Sequence, residues 1–192
     1  MVIGCYSGPF AKGEEAIRPL REIAEPIVDL SGPRRFVDVQ RFFDADYPSG
    51  MLYYWKSAYL QNLGDEVIEA LVEHARTRPS PLTSIDVWLL QGQMNRIAPD
   101  KTAYTRREAR YVYAIESNWT DPEQSNANIA WTRQVFNDMQ RFAHGSYLNF
   151  PGFVEDAEKL LQGAYGTNYE RLRVVKARYD PDNLFRMNQN IL

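Results

Sequence analysis

Two polar side chains near the end of the chain have the types and the spacing of a ligand-binding pair. Tyr147 and Asn149 lie in Gly145–Phe150, GSYLNF, which has the pattern of a short strand. Because side chains alternate along a strand, this pair shares one face while Leu148 and Phe150 share the other. A phenol and an amide side by side can form hydrogen bonds to a ligand. From these residues alone, a core tyrosine and a strand-ending asparagine are the favoured interpretation.

Other reactive residue types lack the spacing that chemistry requires. His74 and His144 are far apart in the sequence, and neither has a cysteine or carboxylate at ligand spacing, so no metal site is expected. His144 follows a predicted helix and is expected to interact with the helix dipole. Cys5 lies in an apolar predicted strand, Met1–Tyr6, where a cysteine is usually inert. No serine lies in a G-x-S-x-G motif, so a hydrolase triad has no support.

Composition excludes several classes of function. The chain has 192 residues and a net charge of -3, without a basic stripe, so no nucleic-acid partner is expected. One cysteine excludes an internal disulfide and favours a reducing compartment, which predicts a cytoplasmic protein. The start, MVIGCYSGPF, does not have the pattern of a signal peptide. No apolar run is long enough to span a bilayer, so no membrane partner is expected.

Hydrophobic patterning predicts strands that alternate with amphipathic helices. No glycine-rich phosphate loop follows any predicted strand. We therefore expect a single domain over 1–192 of the α+β class, with a mainly antiparallel sheet and helices packed on one face. The principal predicted elements are strands at Met51–Leu60, Ser84–Gln91 and Tyr111–Trp119, and helices at Asp65–Arg76 and from Asp121 to about Ala143.

The last predicted helix has clear start and stop signals. Thr167 and Glu170 have the spacing of a capping box, in which each side chain bonds an unpaired backbone donor. Asp180-Pro181 ends the helix, because proline disfavours helix in the preceding residue. An irregular tail follows, and its apolar residues are expected to be anchors: Leu184, Phe185, Met187 and Ile191.

The run YLNF…AYGTNYERLRVVKARYDPDNLFRMNQNI resembles the C-terminal signature of the berberine bridge enzyme-like FAD-linked oxidases. In that family a Y-x-N-Y strand precedes a Y-G-x-N-Y-x-R-L-x-x-x-K-x-x-Y-D-P-x-N-x-F helix and a Q-N-I or Q-S-I tail. Weaker similarity covers TAYTRREARYVY and WTDPEQSNANIAWTR. The resemblance implies the substrate-side half of such an enzyme, without the N-terminal FAD-binding domain. It also implies a large antiparallel sheet whose open face covers the flavin ring.

The resemblance also assigns roles to the first pair of residues and to Phe150. It implies that Tyr147 and Asn149 lie beside the flavin and that the asparagine helps to hold it. Many family members have a tyrosine general base where this chain has Phe150, which has no ionisable group. Another residue could be the base, with Tyr54, Tyr113 and Glu116 as candidates. Alternatively, the reaction needs no such base, or the chain does not catalyse the family reaction.

Further residues of the sheet are candidates for a substrate cavity. Tyr53, Trp55, Gln91 and Tyr113 are the predicted substrate-binding residues, and Asn95 is a further candidate. Many relatives have Pro-His-Arg after an aromatic residue, where this chain has Thr105-Arg106-Arg107. Arg107 therefore matches the family arginine, whereas Arg106 is expected in a solvated loop.

Two functions of different classes follow from these observations. The first is the substrate-binding half of an FAD-dependent oxidoreductase that acts on an alcohol, a sugar or a natural product. It would bind FAD only together with a separate flavin-domain partner, because a single wall over the ring offers few contacts. The alternative is a stand-alone, non-enzymatic binding or remnant domain. Such a domain would bury its open sheet face in a homodimer, since large exposed apolar patches are unusual on monomers.

Overall fold

The computed structural model describes residues 1–152, 157–187 and 189–192. Within them the chain divides into two units, Met1–Ser49 and Gly50–Leu192. The first unit contains α1 (Phe10–Arg21) and α2 (Phe36–Gln40). The expected strand at Met1–Tyr6 is not formed, because these residues are exposed and have no strand pairing. A single domain over 1–192 stays a prediction, and the candidate site residues lie in the second unit.

The second unit is organised by a four-stranded sheet. All of its pairings are antiparallel. The central pair runs in register from Leu52↔Trp119 to Leu60↔Tyr111. This arrangement confirms the predicted α+β class with an antiparallel sheet. The strands are β1 (Leu52–Leu60), β2 (Ser84–Leu89), β3 (Tyr111–Trp119) and β4 (Ala143–Ser146), and their order in the sheet is β2-β3-β1-β4.

One face of the sheet is covered by α3 (Asp65–Arg76) and α5 (Ser125–Met139). On α5, apolar side chains recur every four residues and so form one stripe on the helix. The sheet contributes alternate residues from its two central strands, as expected for strand geometry. The buried core consists of Ala58, Leu60, Tyr113 and Ile115 from the sheet, Val67 and Leu71 from α3, and Trp131, Val135 and Met139 from α5.

The start of α5 agrees with its sequence signal, whereas the start of the last helix does not. Asp121 Oδ1 accepts a hydrogen bond from the Glu123 backbone N–H at 3.0 Å, which caps the turn leading into α5. The last helix, α7 (Tyr169–Tyr179), follows α6 (Ala157–Tyr165) and a 3-10 turn at Gly166–Asn168. The predicted capping box is therefore wrong, because the helix begins one residue later than the motif requires, with Asn168 as its N-cap and, in the described part of the chain, no side-chain capping hydrogen bond.

The end of the chain also departs from the expectation in two places. The predicted strand Gly145–Phe150 is wrong in its bounds, because strand structure ends at Ser146 and a turn follows. The tail does not use all of its expected anchors, since Leu184, Phe185 and Met187 are 74%, 79% and 93% exposed. Across the described ranges, none of the helices is long and apolar enough to cross a membrane.

Around α4 (Gln93–Arg96), the segment between β2 and β3 is held in place by side chains that donate to backbone carbonyls. Asn95 Nδ2 donates to the carbonyls of Arg107 and Ala109 at 2.6 and 3.1 Å. Asn168 Nδ2, from the C-terminal segment, donates to Pro99 and Thr102 at 2.7 and 2.9 Å. These contacts fix the loop that leads into the central strand β3.

Candidate functional site

The sheet face opposite α3 and α5 carries a connected group of aromatic rings, which we call the aromatic face. It comprises Tyr53, Trp55 and Tyr59 of β1, Trp88 of β2, and Tyr147 and Phe150 of the turn after β4. The cross-strand register places Trp55 opposite Glu116, Tyr59 opposite Val112 and Trp88 opposite Val112, so these rings share one side of the sheet.

Phe150 lies at the centre of the aromatic face. Its ring meets that of Trp55 edge-on at 5.3 Å and stacks on that of Trp88 at 6.0 Å. Tyr147 contacts Phe150 at 5.8 Å and Tyr59 at 5.6 Å, both in edge-to-face geometry. These separations are favourable for aromatic pairs. The ring of Phe150 therefore contributes packing where a tyrosine would also bring a hydroxyl group.

An open hollow of about 220 Å³ lies at one end of this face. Aromatic rings and the amide of Asn149 form most of its wall, which is the mixture of apolar surface and few polar groups that small-molecule sites use. It is lined by Tyr53, Tyr54, Trp55, Asn149, Phe150, Pro151 and Gly152.

Tyr147 and Asn149 are joined by a hydrogen bond, in which Asn149 Nδ2 donates to Tyr147 Oη at 2.8 Å. The tyrosine hydroxyl accepts this bond and keeps its own proton for donation to a ligand. Asn149 is exposed and Tyr147 is half-buried. The structure thus brings the phenol and the amide together, although through a turn and not through strand alternation. Their role in holding a flavin stays a prediction.

Ser57 holds this turn against the central strand. Its hydroxyl lies 3.2 Å from the carbonyl oxygen of Tyr147 and 3.3 Å from that of Phe150, and it donates to both. Ser57 is only 3% exposed. One local signal points to this residue, because the alternation Tyr53, Trp55, Ser57, Tyr59 predicts a shared face. Trp88 was likewise on a predicted strand, but its contact with Phe150 depends on the pairing of strands.

The four predicted substrate-binding residues are not all brought together. Tyr53 and Trp55 line the hollow, with their rings 5.7 Å apart. Gln91 follows the end of β2 and is exposed, and it is not among the residues that line the hollow. Tyr113 points to the opposite face, in the core under α3 and α5, and is fully buried. Asn95 binds backbone carbonyls of the neighbouring loop.

The three candidate bases also divide between the two faces. Burial raises the pKa of the Tyr113 phenol above its ordinary value, and this residue lies in the core. Tyr54 is buried, and its hydroxyl accepts a hydrogen bond from Arg133 Nε at 3.2 Å. Glu116 lies opposite Trp55 on β1 and Ser84 on β2. It is therefore the one of the three that shares a side of the sheet with the aromatic face.

Tyr59, at the far end of the aromatic face, contacts a further phenol, that of Tyr104 in the loop before β3. The rings of Tyr59 and Tyr104 are 6.2 Å apart, and the guanidinium of Arg107 lies 4.7 Å from the Tyr104 ring. Burial is the main cause that raises the pKa of Tyr59, and the hydrogen bond with Tyr104 raises it further. Both phenols are thus kept neutral, and they serve this site as packing and hydrogen-bonding groups.

Two expectations about charged residues near this loop are wrong. Arg106 is not simply solvated, because its Nε donates to the Gly163 carbonyl at 3.1 Å and so joins the loop to α6. His144 is not at a helix end, because it belongs to β4 and its Nε2 lies 3.0 Å from Glu108 Oε1. Among the residues that the structure describes, no group of His, Cys, Asp or Glu could hold a metal ion.

Comparison with known proteins relates the chain to a class of flavoenzymes. Residues 146–192 match the family model "Berberine and berberine like". The FAD-linked oxidoreductase YgaK of Bacillus subtilis (strain 168) is 27% identical over 98% of this chain and 42% of its own length. Aclacinomycin-N/aclacinomycin-A oxidase of Streptomyces galilaeus is 26% identical over 68% of this chain and 27% of its own length.

A similar fold occurs in a solved chitooligosaccharide oxidase, with a TM-score of 0.73, 21% identity, and coverage of 97% of this chain and 44% of that one. The chain is thus related to the FAD-linked oxidoreductases. Within this class, the matches confirm its resemblance to the berberine bridge enzyme-like family. The chain spans less than half of the length of this relative, since the match covers 42% of YgaK.

Proposed function

We propose that this chain is the substrate-side part of an FAD-linked oxidoreductase that oxidises an alcohol, a sugar or a natural product. The observation that carries the proposal is the joined Tyr147–Asn149 pair beside the aromatic hollow, in the segment that matches the family model. The relatives support this range of substrates, because their names include an oxidase of aclacinomycin and an oxidase of chitooligosaccharides.

The residues present fit one part of a flavin. Aromatic walls suit the flat ring, and the amide of Asn149 with the hydroxyl of Tyr147 can bond polar atoms at its edge. The sequence has no glycine-rich loop for the phosphates, so we propose that another part of the protein or a partner domain holds the rest of FAD. A bound flavin would supply the hydride acceptor, which the side chains of this chain cannot provide.

The chain's own contribution would be orientation and proton transfer. Oxidation of an alcohol removes a proton from its oxygen and a hydride from its carbon. We assign the proton to the carboxylate of Glu116, which lies on the side of the aromatic face. Phe150 cannot accept a proton, Tyr113 lies in the core, and the hydroxyl of Tyr54, which lines the hollow, is hydrogen-bonded to Arg133. Tyr53 and Trp55 would stack against the substrate and exclude water from it.

Flavin fluorescence tests the assignment of Asn149. Aromatic side chains quench this fluorescence on contact, so titration of FAD with the chain, reconstituted with the part of the protein that holds the rest of the cofactor, gives an apparent Kd. We expect Asn149→Asp to weaken binding about tenfold, since it places a negative charge beside the ring and removes the donor to Tyr147. Gln134→Glu is the matched control, because it adds the same charge on the exposed side of α5. Equal affinity in the two variants would refute the placement of Asn149.

A further inference from the structure

We propose that Ser57 is a positioning residue for the candidate site, in which its hydroxyl orders the turn Tyr147–Phe150 that carries the flavin- and substrate-facing groups. This inference rests on the proposed function for its consequence, but its geometry is independent of it. Ser57 would touch neither flavin nor substrate, and it acts through Tyr147, Asn149 and Phe150.

The position of Ser57 gives its hydroxyl little freedom. The residue lies on β1, a central strand, opposite Ala114 of β3 and next to the Ala58↔Ser146 pair of β4. Its side chain is on the aromatic face and is 3% exposed, so water does not compete strongly for the hydroxyl. The distances of 3.2 and 3.3 Å to two carbonyl oxygens indicate that one proton is shared between them.

The turn needs such a contact because the strand ladder does not reach it. The pairing of β1 with β4 is irregular and ends at Ser146. The carbonyls of Tyr147 and Phe150 mark the two ends of the following turn, and the Ser57 hydroxyl bonds both of them. The side chain thus takes the place of ladder hydrogen bonds at the point where the phenol, the amide and the central ring of the aromatic face are presented.

Hydrogen exchange by mass spectrometry on the full chain tests this role. For Ser57→Ala we expect amide exchange in residues 147–152 to rise about tenfold, which is the factor for one ordinary hydrogen bond, while α5 stays protected. Near-ultraviolet circular dichroism should change at the same time, because Phe150 packs against Trp55 and Trp88. Ser57→Thr keeps the hydroxyl and should restore both signals.

Ser117→Ala is the matched control, since it removes a buried serine hydroxyl from β3 on the helix-covered face. It should leave residues 147–152 unchanged. If Ser57→Ala does not fold, Ser57→Cys keeps the size with a weaker donor, and its exchange should lie between those of the wild type and a free turn. The inference is overturned if the Ser57 variants leave the turn unchanged, or if exchange rises equally in α5.

The same variants separate this inference from the proposed function. If both hold, Ser57→Ala lowers FAD affinity in parallel with Asn149→Asp, and Ser57→Thr restores it. If the turn loosens in Ser57→Ala while neither variant changes FAD affinity, Ser57 still positions the turn but the turn does not hold flavin. An unchanged turn together with weaker FAD binding by Asn149→Asp would leave the proposed function intact and reject the role of Ser57.

Discussion

Tyr113 shows that the side of the sheet on which a residue lies decides whether it can contact a substrate or belongs to the core. Its hydroxyl is fully buried under α3 and α5, and no hydrogen-bond partner for it occurs among residues 1–152, 157–187 and 189–192. An unsatisfied buried hydroxyl costs about 1–3 kcal/mol. The hydroxyl of Tyr113 therefore lowers the stability of the fold, and its position in the core keeps it from contacting a substrate on the aromatic face.

We therefore expect Tyr113→Phe to raise the free energy of unfolding by about 1 kcal/mol, as measured by urea denaturation at neutral pH. Burial raises the pKa of Tyr113, so the phenol ionises more readily in the unfolded chain than in the folded one. The wild type therefore keeps its stability below about pH 10, the ordinary pKa of tyrosine, and loses stability as pH rises from there towards the folded-state pKa. The variant should accordingly lose less stability than the wild type in alkaline buffer. Tyr179→Phe, at an exposed tyrosine, should change neither quantity. Destabilisation by Tyr113→Phe would mean that the hydroxyl has a partner.

At the scale of elements, the strands β1, β2 and β3 could be predicted because alternation is a local property of the sequence. The relative faces of two strands could not, since they depend on register. The pairing Ala58↔Tyr113 puts Tyr113 with the core, whereas Trp55↔Glu116 puts Glu116 with the aromatic face. Tyr53 and Trp55 belong to a single strand, so alternation alone predicts their shared side, and both line the hollow.

The turn at Tyr147–Phe150 was missed for a related reason. Its alternating pattern predicts a strand, but strand pairing ends at Ser146, and the carbonyls of Tyr147 and Phe150 accept hydrogen bonds from the Ser57 hydroxyl. This contact joins residues 90 and 93 positions apart in the chain, so local patterns cannot reveal it. Alternation and the motif resemblance both place Tyr147 and Asn149 side by side, and the hydrogen bond between them agrees with that placement. Their role beside a flavin stays a prediction.

The end of α7 offers a prediction at the same scale. The Asp180 carboxylate accepts hydrogen bonds from the backbone N–H groups of Leu184 and Phe185 at 2.7 and 3.0 Å, and it is paired with Lys176. The hydrogen bond from Lys176 is the main cause that lowers the pKa of Asp180. The carboxylate therefore orders the start of the tail above its unfolded pKa, and this order is lost as pH falls through the lower folded-state pKa.

We expect Asp180→Asn to speed amide exchange at Leu184 and Phe185 several-fold at neutral pH, because the ion pair and one strong acceptor are lost. The wild type should show the same loosening only below about pH 4, after correction for the intrinsic exchange rate. Asp182→Asn, at an exposed neighbour, provides the control. Similar exchange in the two variants would show that Asp180 does not order the tail.

At the scale of the whole molecule, the two functions differ in what would cover the aromatic face. The chain corresponds to 42% of YgaK, and the side of its sheet opposite the helices carries rings that remain partly exposed. Under the proposed function, flavin and the part of the protein that holds it would cover this face. Under the alternative of a non-enzymatic domain, a second copy of the chain would cover it.

These two explanations predict different masses in solution. If the face serves flavin and substrate, the purified chain should scatter light as a 22.3 kDa monomer across concentrations. It should also bind a hydrophobic dye, and Trp88→Lys should reduce this binding because it removes the ring that stacks on Phe150. Ile68→Lys, on the exposed side of α3, should leave dye binding unchanged. A dimer that dissociates on Trp88→Lys but not on Ile68→Lys would instead support the homodimer, because the second copy would then occupy the face that the proposed function reserves for flavin.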